Sequence, residues 1–340
     1  MIRRVPAAFA LLAMLLLSRA ASWAEAPFSR TDFVLWTTCA ITLEDHGSQE
    51  ALDAAFARLR EIQARFGTGV PGSELEQMAS AAGRAPVHVT DDVYALIKKA
   101  LVVAGDTNGL FDLTVGPLID VWRMNKDDPD IPSKERIKAA LSLVSWRDVV
   151  VDDRQKTVFL KRSSMRLDLG GFLKGYAADE MVRILSARGV TSALIDLGGN
   201  IFAMGNGPSG SPWKIGVQDP EGQRGAYLGI ALVTNRSVTT AGVYEHYFIK
   251  KGKRYHHIMD LRTGYPVENG LLSVTVIADK SIDADAFDTA LLCMGKVDGM
   301  RLAEKLGLDI IMVDDHHRVY ATPGARKIFT LAGSGYSFAD

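Results

Sequence analysis

The feature that most constrains this chain is a glycine-rich segment from Asp168 to Asp179, which reads Asp-Leu-Gly-Gly-Phe-Leu-Lys-Gly-Tyr-Ala-Ala-Asp. The hydrophobic run at 157–160 predicts a strand before it, and apolar residues at helix spacing from Tyr176 to Leu185 predict a helix after it. The glycines therefore lie in a turn that opens a helix, where free N–H groups suit a phosphate and carbonyl groups suit a hard cation. A plain strand-to-helix turn explains the same glycines equally well, because glycine-rich turns alone are weak signals.

Length and charge set the broad class of the protein. The chain has 340 residues, of which 47% are hydrophobic, and a formal net charge of −1. This is enough for one large or two ordinary domains with a full core. The near-neutral charge argues against nucleic acid as the main partner.

Residues 1–26 have the order of a secretory signal peptide. Arg3 and Arg4 precede an apolar stretch at 7–17, and small residues allow cleavage after Ala24 or Ala26. The apolar stretch is short for a transmembrane helix, so we predict a cleaved signal and no stable membrane insertion of the mature chain. Residues 27–340 then form an exported protein, periplasmic in a Gram-negative source, by general secretory or twin-arginine export.

Along the mature chain, predicted strands and helices alternate irregularly, with several hairpins, which favours an α+β fold. A single strand is predicted over Thr31–Leu43, and a loop over 107–118. Cys39 and Cys293 are predicted to be separate buried thiols. The helices are predicted at 49–66, 91–105, 132–143, 284–294 and 297–306.

Asp285 and Thr289 are four residues apart in a predicted helix, so their side chains share one face. A carboxylate and a hydroxyl on one face suit Mg²⁺, which prefers oxygen ligands. An exposed aspartate beside an ordinary threonine is the simpler interpretation. Asp283 and Asp288 compete for the ligand role.

Two adjacent histidines, His256 and His257, lie in a predicted strand over 255–259. Neighbouring residues of a strand point to opposite faces, so at most one of the two belongs to a given site. Histidine is the commonest general base near neutral pH. A hydrogen-bonded structural histidine is the alternative at either position.

The segment Asp168–Asp179 resembles the signature of the ApbE family, the FAD:protein FMN transferases. Further segments fit the family in the same order, so that the resemblance spans about residues 30–330. Ser73-Glu-Leu75 resembles a weaker block near the N-terminus. The main segments are 109–118, 196–200, 240–245, 255–266 and 285–291.

The resemblance implies a two-lobed α+β fold with mixed or antiparallel sheets and FAD in the cleft between the lobes. It implies that Mg²⁺ is held by the Gly171 carbonyl, the Asp285 carboxylate and the Thr289 hydroxyl. It makes His257 the catalytic histidine. The residues that it places against FAD are Leu110, Phe111, Asp112, Asp168, Lys174 and the backbone around Met259.

The implied reaction transfers FMN from FAD to a Thr or Ser hydroxyl of an exported acceptor protein and releases AMP. The sequence departs from the family pattern at Leu35-Trp-Thr37, Ala79, Ala241 and Leu261. Ala79, where the family often has asparagine, leaves open the balance between transfer and hydrolysis. Two alternatives are a Mg²⁺-dependent FAD pyrophosphatase, which gives FMN and AMP, and a non-catalytic exported flavin-binding protein.

Overall fold

The computed structural model describes residues 28–124 and 129–339. The predicted signal peptide, residues 1–26, lies outside the described residues. Within the described ranges, no helix combines the length and the apolar character needed to cross a membrane.

The helices are α1 (Gln49–Phe66), α2 (Glu74–Ala81), α3 (Asp91–Asp106), α4 (Gly116–Trp122), α5 (Lys134–Leu141), α6 (Leu173–Ser186), α7 (Ser281–Met294), α8 (Lys296–Leu306) and α9 (Pro323–Ile328). The first ten strands are β1 (Phe28–Val34), β2 (Thr37–Leu43), β3 (Val87–His88), β4 (Val149–Asp152), β5 (Thr157–Leu160), β6 (Ala193–Leu197), β7 (Asn200–Met204), β8 (Trp213–Gln218), β9 (Tyr227–Val233) and β10 (Arg236–Gly242). The remaining strands are β11 (Tyr247–Lys250), β12 (Lys253–His256), β13 (Met259–Asp260), β14 (Tyr265–Pro266), β15 (Leu271–Ala278), β16 (Asp309–Asp314), β17 (Arg318–Ala321), β18 (Phe329–Leu331) and β19 (Ser337–Phe338).

A large sheet organises the described part of the chain. Its strand order is β1-β2-β6-β7-β10-β15-β16-β17-β19, and neighbours are antiparallel except for the parallel pair β17–β19. Helices α1, α3, α6, α7 and α8 contribute to the main core on one face, and the small sheet β18-β9-β8 covers the other. The predicted α+β class is therefore confirmed.

Strand β15 at the centre of this sheet is buried on both faces. Val274 and Val276 pack into the core under the helices, whereas Ile277 packs toward the small sheet. The alternation follows from the two-residue period of a strand. Because α7 lies directly on this strand and on β10, the sheet forms a rigid base under Asp285 and Thr289.

The prediction of one strand over Thr31–Leu43 is wrong, because the chain turns back at Leu35 and Trp36. Both residues have left-handed backbone, with φ of 55° and 58°, and β1 pairs antiparallel with β2 across them. Such a two-residue turn usually carries glycine or asparagine. Without either residue, the sequence contains no signal for the turn.

The loop predicted over 107–118 is only partly a loop, because α4 begins at Gly116 with Pro117 in its first turn. At the end of this helix, Trp122 lies over Tyr255 at 5.9 Å between ring centroids and edge-on to Tyr265 at 5.6 Å. Its indole N–H donates to the Gly264 carbonyl at 2.8 Å. Helix α4 thus anchors the strands on either side of His257.

The two cysteines lie apart, as predicted. Cys39 in β2 and Cys293 in α7 are both buried free thiols. Burial raises the pKa of each thiol to about 12, so both stay protonated and unreactive near neutral pH.

Candidate functional site

Helices α6 and α7 bring the three predicted metal ligands to one place. A Cβ atom built on Gly171 would lie 3.9 Å from Thr289 Oγ1. One helical turn along, the Gly175 N–H donates to Asp285 Oδ2 at 2.8 Å. The spacing of four residues predicted that Asp285 and Thr289 share one face of the helix, and in the structure both lie against the glycine-rich segment.

Lys174 provides the positive charge at this contact. Its ammonium lies 3.3 Å from Asp285 Oδ1, and Asp285 is only 3% exposed. The Asp285 carboxylate raises the pKa of Lys174, so the side chain is charged at neutral pH. The lysine predicted to contact FAD therefore stands beside a predicted metal ligand.

The two aspartates that compete with Asp285 have different surroundings. Asp283 forms an ion pair with Lys99 of α3 at 2.6 Å. Asp288 is buried and accepts a hydrogen bond from the Thr289 hydroxyl at 3.1 Å. Burial and the nearby Asp285 charge raise the pKa of Asp288 to about 8. Asp288 is thus the competitor that borders the site.

The segment Leu110–Asp112 approaches the glycine turn through Phe111. The rings of Phe111 and Phe172 lie 6.0 Å apart, and Phe111 is 3.8 Å from the Cβ position of Gly171. The carboxylate of Asp112 is buried and accepts three hydrogen bonds within the protein. It accepts from the backbone amide and the hydroxyl of Thr114 at 2.8 and 2.6 Å and from the backbone amide of Trp146 at 2.8 Å.

Asp112 therefore shapes the loop that carries Leu110 and Phe111. Leu110 packs at the edge of the main core. Burial raises the pKa of Asp112, while its hydrogen bonds favour the ionised form. Three internal donors therefore hold this carboxylate in place, two on Oδ1 and one on Oδ2.

Asp168 stabilises the start of the glycine turn. Its Oδ1 accepts from the Gly170 N–H at 2.8 Å, and its own N–H donates to the Leu113 carbonyl at 2.8 Å. The second bond ties the turn to the loop of Leu110–Asp112. Burial raises the pKa of Asp168, and the Asp120 charge acts in the same direction.

The two adjacent histidines differ in their contacts. His256 is buried, its Nε2 lies 3.0 Å from the Val267 carbonyl, and its Nδ1 accepts from the Ile258 N–H at 3.3 Å. Strand β12 ends at His256, so the prediction of a strand that runs through His257 is wrong. The Nδ1 of His257 is shielded from solvent and has no hydrogen-bond partner within the described ranges.

His246 is a neighbour of His257 that sequence reasoning missed. The two rings meet edge to face at 5.2 Å between centroids. The backbone N–H of His257 donates to the backbone carbonyl of His246 at 3.0 Å. Burial lowers the pKa of His257 to about 3, and His246, His256 and Lys174 act in the same direction. The only sequence signal for His246 is its place directly after the segment 240–245.

Met259 opens the strand β13 directly after the histidines. It is buried in the small core around Leu118 and Trp122, and its carbonyl lies 3.6 Å from the Cys293 thiol, which donates to it. This weak bond links the histidine segment to the C-terminal half of α7. The backbone at Met259 is thus held in place by the helix that carries Asp285 and Thr289.

The predicted metal ligands at the contact of α6 and α7 are oxygen donors. No group of three or more His, Cys, Asp or Glu side chains in the described part of the chain could hold a metal ion. Along the glycine-rich segment, Asp285 offers a carboxylate beside Gly175, Thr289 offers a hydroxyl beside Gly171, and Gly171 offers its own carbonyl. An all-oxygen set of this kind fits Mg²⁺ better than zinc.

An α+β fold in which a carboxylate, a hydroxyl and a lysine lie against a glycine turn defines a class of protein suited to phosphoryl transfer. Comparison with known proteins narrows the class. The model of the ApbE family matches residues 35–312. This chain therefore belongs to the ApbE family.

Named relatives agree over most of the chain. It is 34% identical over 302 residues to a FAD:protein FMN transferase of Klebsiella pneumoniae, covering 88% of this chain and 94% of the relative. It is 33% identical over 318 residues to the FAD:protein FMN transferase of Treponema pallidum, covering 87% of each.

Solved structures show the same fold. The ApbE protein of Thermotoga maritima matches with a TM-score of 0.81 and 30% identity, over 89% of this chain and 99% of that chain. The flavinyl transferase ApbE of Pseudomonas stutzeri, in its apo form, matches with a TM-score of 0.79 and 27% identity, over 90% and 98%.

Proposed function

We propose that this chain transfers the FMN moiety of FAD to a Thr or Ser hydroxyl of an exported acceptor protein and releases AMP. The observation that carries the proposal is the convergence of Gly171, Lys174, Asp285 and Thr289 beside the glycine turn. Membership of a family whose relatives are named FAD:protein FMN transferases supports the reaction class.

Mg²⁺ is the metal that fits the site. The Gly171 carbonyl, the Asp285 carboxylate and the Thr289 hydroxyl would hold it, with Asp285 oriented by the Gly175 N–H. Bound Mg²⁺ would neutralise charge on the FAD pyrophosphate and on the departing AMP.

FAD would lie against the glycine turn, the segment Leu110–Asp112 and the backbone around Met259. Phe111 and Leu110 supply apolar contact, Asp168 and Lys174 supply charge, and the Met259 backbone supplies hydrogen-bonding groups. Lys174 is charged and close to Asp285, so it can also pair with a phosphate oxygen. Asp112 serves FAD indirectly, by holding the loop of Leu110 and Phe111 in place.

His257 would act as the general base. The acceptor hydroxyl oxygen attacks the FMN phosphorus, the bond from that phosphorus to the bridging oxygen of the anhydride breaks, and AMP leaves with that oxygen. The hydroxyl proton passes to the His257 ring, whose Nδ1 is not occupied by any described protein group. The lowered pKa of His257 keeps the ring neutral, which a general base requires, but it also makes the ring a weaker proton acceptor than an ordinary histidine.

Export is supported by the basic, apolar and small-residue order of residues 1–26. The acceptor would then be an exported protein, and in a Gram-negative source both would meet in the periplasm. N-terminal sequencing of the secreted protein should find a mature chain that begins at Glu25 or Pro27. An uncleaved chain retained in the membrane would contradict export of this kind.

The metal assignment is tested by FAD binding in Mg²⁺ and in EDTA. Wild-type protein should bind FAD more tightly in Mg²⁺, and Asp285→Asn, which keeps the side-chain size, should lose about tenfold or more of metal affinity. Asp283→Asn is the matched control, because Asp283 pairs with Lys99 outside the site. Equal FAD affinity of the wild type in both conditions would contradict the metal site.

Hydrolysis is the competing reaction at the same site, with water in place of the acceptor hydroxyl. Ala79, at a position where the family often has asparagine, is the residue that bears on this balance. Product analysis separates the two reactions, because hydrolysis gives free FMN whereas transfer leaves the flavin on protein. A flavin-binding protein without activity would give neither product.

A further inference from the structure

Helices α6 and α7 run antiparallel, and their contacts repeat at one-turn intervals. Gly171 lies opposite Thr289, Gly175 opposite Asp285, and Asp179 opposite Ser281. We call these three contacts the α6–α7 ladder. Each step is four residues along each of the two segments, so the spacing of Gly171 and Gly175 in the signature matches the spacing of Asp285 and Thr289 in α7.

The middle contact of the ladder fixes the distance between the helices. A Cβ on Gly175 would lie 2.4 Å from the Ser281 carbonyl oxygen and 2.7 Å from Asp285 Cβ. Only glycine allows this approach, and the approach lets the Gly175 N–H reach Asp285 Oδ2. The distance between the helices and the orientation of Asp285 are therefore set together.

The end contact of the ladder is a helix cap supplied by another helix. The Asp179 carboxylate accepts from the Ser281 N–H at 2.9 Å through Oδ1 and from the Ile282 N–H at 3.1 Å through Oδ2. The residue at the N-cap position of α7 is Lys280, whose side chain makes no capping bond. Asp179 thus satisfies first-turn amides that usually depend on a local cap.

A buried hydroxyl network holds the same end of α7 to the sheet. The Ser281 hydroxyl donates to Asn200 Oδ1 at 2.7 Å and lies 2.8 Å from the Ser237 hydroxyl, and all three residues are buried. Asn200 ends the segment 196–200, another of the blocks that resemble the family. The first turn of α7 is therefore fixed from α6 and from the sheet together.

We propose that Asp179 is a positioning residue for the metal site, which holds α7 in register with α6 so that Asp285 and Thr289 face Gly171. A slip of one residue along α7 would rotate these ligands by about 100° and move them about 1.5 Å along the axis. The proposal rests on the proposed function in one respect, the holding of Mg²⁺ by Gly171, Asp285 and Thr289.

The test compares Asp179→Ala, Asp179→Asn and the control Glu180→Gln. Glu180 is the next residue of α6 and pairs with Arg58 at 3.0 Å, outside the ladder. The measurement is the Mg²⁺ concentration that gives half of the metal-dependent gain in FAD binding. We expect this concentration to rise about 10–100-fold in Asp179→Ala, as for loss of a group that orients a ligand, and to stay unchanged in Glu180→Gln.

A second readout does not depend on metal. Hydrogen exchange of peptides that cover Ser281–Thr289, measured in EDTA, should be faster in both Asp179 variants and as slow as wild type in Glu180→Gln. Asp179→Asn keeps the side-chain volume but only one oxygen acceptor, so it keeps the proposal testable if Asp179→Ala does not fold.

The outcomes separate the two proposals. A wild type whose FAD binding ignores Mg²⁺ would contradict the metal site of the proposed function. A wild type that responds to Mg²⁺, with Asp179 variants of unchanged metal affinity, would overturn the positioning role alone. Lower melting temperature with normal metal affinity would likewise reduce Asp179 to a structural cap.

Discussion

His256 and His257 are neighbours in the sequence with different surroundings in the structure. Both ring nitrogens of His256 contact backbone groups of Val267 and Ile258. His257 instead meets the edge of His246 and keeps an unoccupied Nδ1 among the described residues. At the scale of single residues, His256 therefore stabilises the backbone around it, whereas the His257 ring has a nitrogen that can accept a proton.

Replacement of His257 by Ala should slow FMN transfer by about 10²–10⁴-fold, the typical contribution of a positioned general base. FAD affinity should change little, because the ring is not among the metal or phosphate contacts. Purified variant protein would be titrated with FAD, and covalent flavin on an acceptor followed by in-gel fluorescence.

His256→Ala is the matched control for this experiment. It should lower the free energy of unfolding by about 1–3 kcal/mol, because buried backbone groups lose their partners, yet keep transfer activity in the folded fraction. If His256→Ala is inactive and His257→Ala is active, the catalytic role belongs to the other histidine. If both are active, the base lies elsewhere.

The pH dependence of transfer follows from the lowered pKa of His257. Burial disfavours the charged ring and brings its pKa to about 3, so the free enzyme keeps the neutral base well below pH 6. The ratio kcat/KM, which reports the free enzyme, should therefore show no acid limb near pH 6.5, the ordinary value for histidine. A profile at saturating Mg²⁺ that falls with a midpoint near 6.5 would contradict this environment for His257.

At the scale of elements, the contact between α6 and α7 is the part of the fold on which the site depends. Gly175 lies within α6, and the backbone of α7 packs directly against it. No side chain fits there without separating the helices. Because Gly175 has no Cβ, the two helices approach closely. This approach sets the orientation of Asp285 and the distance from Gly171 to Thr289.

The variant Gly175→Ala should destabilise the protein by about 1–3 kcal/mol, since its Cβ would meet the Ser281 carbonyl oxygen. It should also weaken the Mg²⁺-dependent gain in FAD binding. Gly105→Ala, within α3, is the control: its Cβ would have Trp146 at 3.8 Å as nearest neighbour, so stability should stay equal or rise by up to about 1 kcal/mol. Urea unfolding of both variants measures the difference, and equal stabilities would contradict the helix contact.

Local sequence predicted the elements that carry strong local signals. The apolar face of α1 predicted its bounds at 49 and 66, and the double glycine predicted the break between β6 and β7. The turn at Leu35–Trp36 was not predictable, because two non-glycine residues adopt left-handed backbone there. The short helices α4 and α9 are set by packing and by proline at their first turns, which short patterns do not reveal.

The candidate site was predictable only in its parts. Helical spacing placed Asp285 and Thr289 on one face, but the meeting of that face with Gly171 depends on the pairing of two helices far apart in the sequence. Spacing likewise could not show which of Asp285 and Asp288, both buried, is the better metal ligand. It also could not reveal that Asp112 accepts hydrogen bonds from Thr114 and Trp146. These are tertiary contacts, and a single sequence has no local pattern that encodes them.

At the scale of the whole molecule, the large sheet brings together segments from distant parts of the chain. The Asp168 amide joins the glycine turn to Leu113, and the Cys293 thiol joins α7 to the Met259 carbonyl. The residues proposed to contact phosphate, metal and flavin, and the proposed base, thus come from separate segments of the chain. This arrangement fits the match of the ApbE family model over residues 35–312.

The central claim is that the flavin ends on a protein and not free in solution. The most direct measurement is intact-mass and peptide mass spectrometry of an exported acceptor after incubation with this protein, FAD and Mg²⁺, with AMP quantified in the same reaction. We predict one FMN on a Thr or Ser of the acceptor for each AMP released, and neither product with Asp285→Asn. Release of AMP with an equal amount of free FMN, while the acceptor stays unmodified, would contradict the transferase and identify a pyrophosphatase.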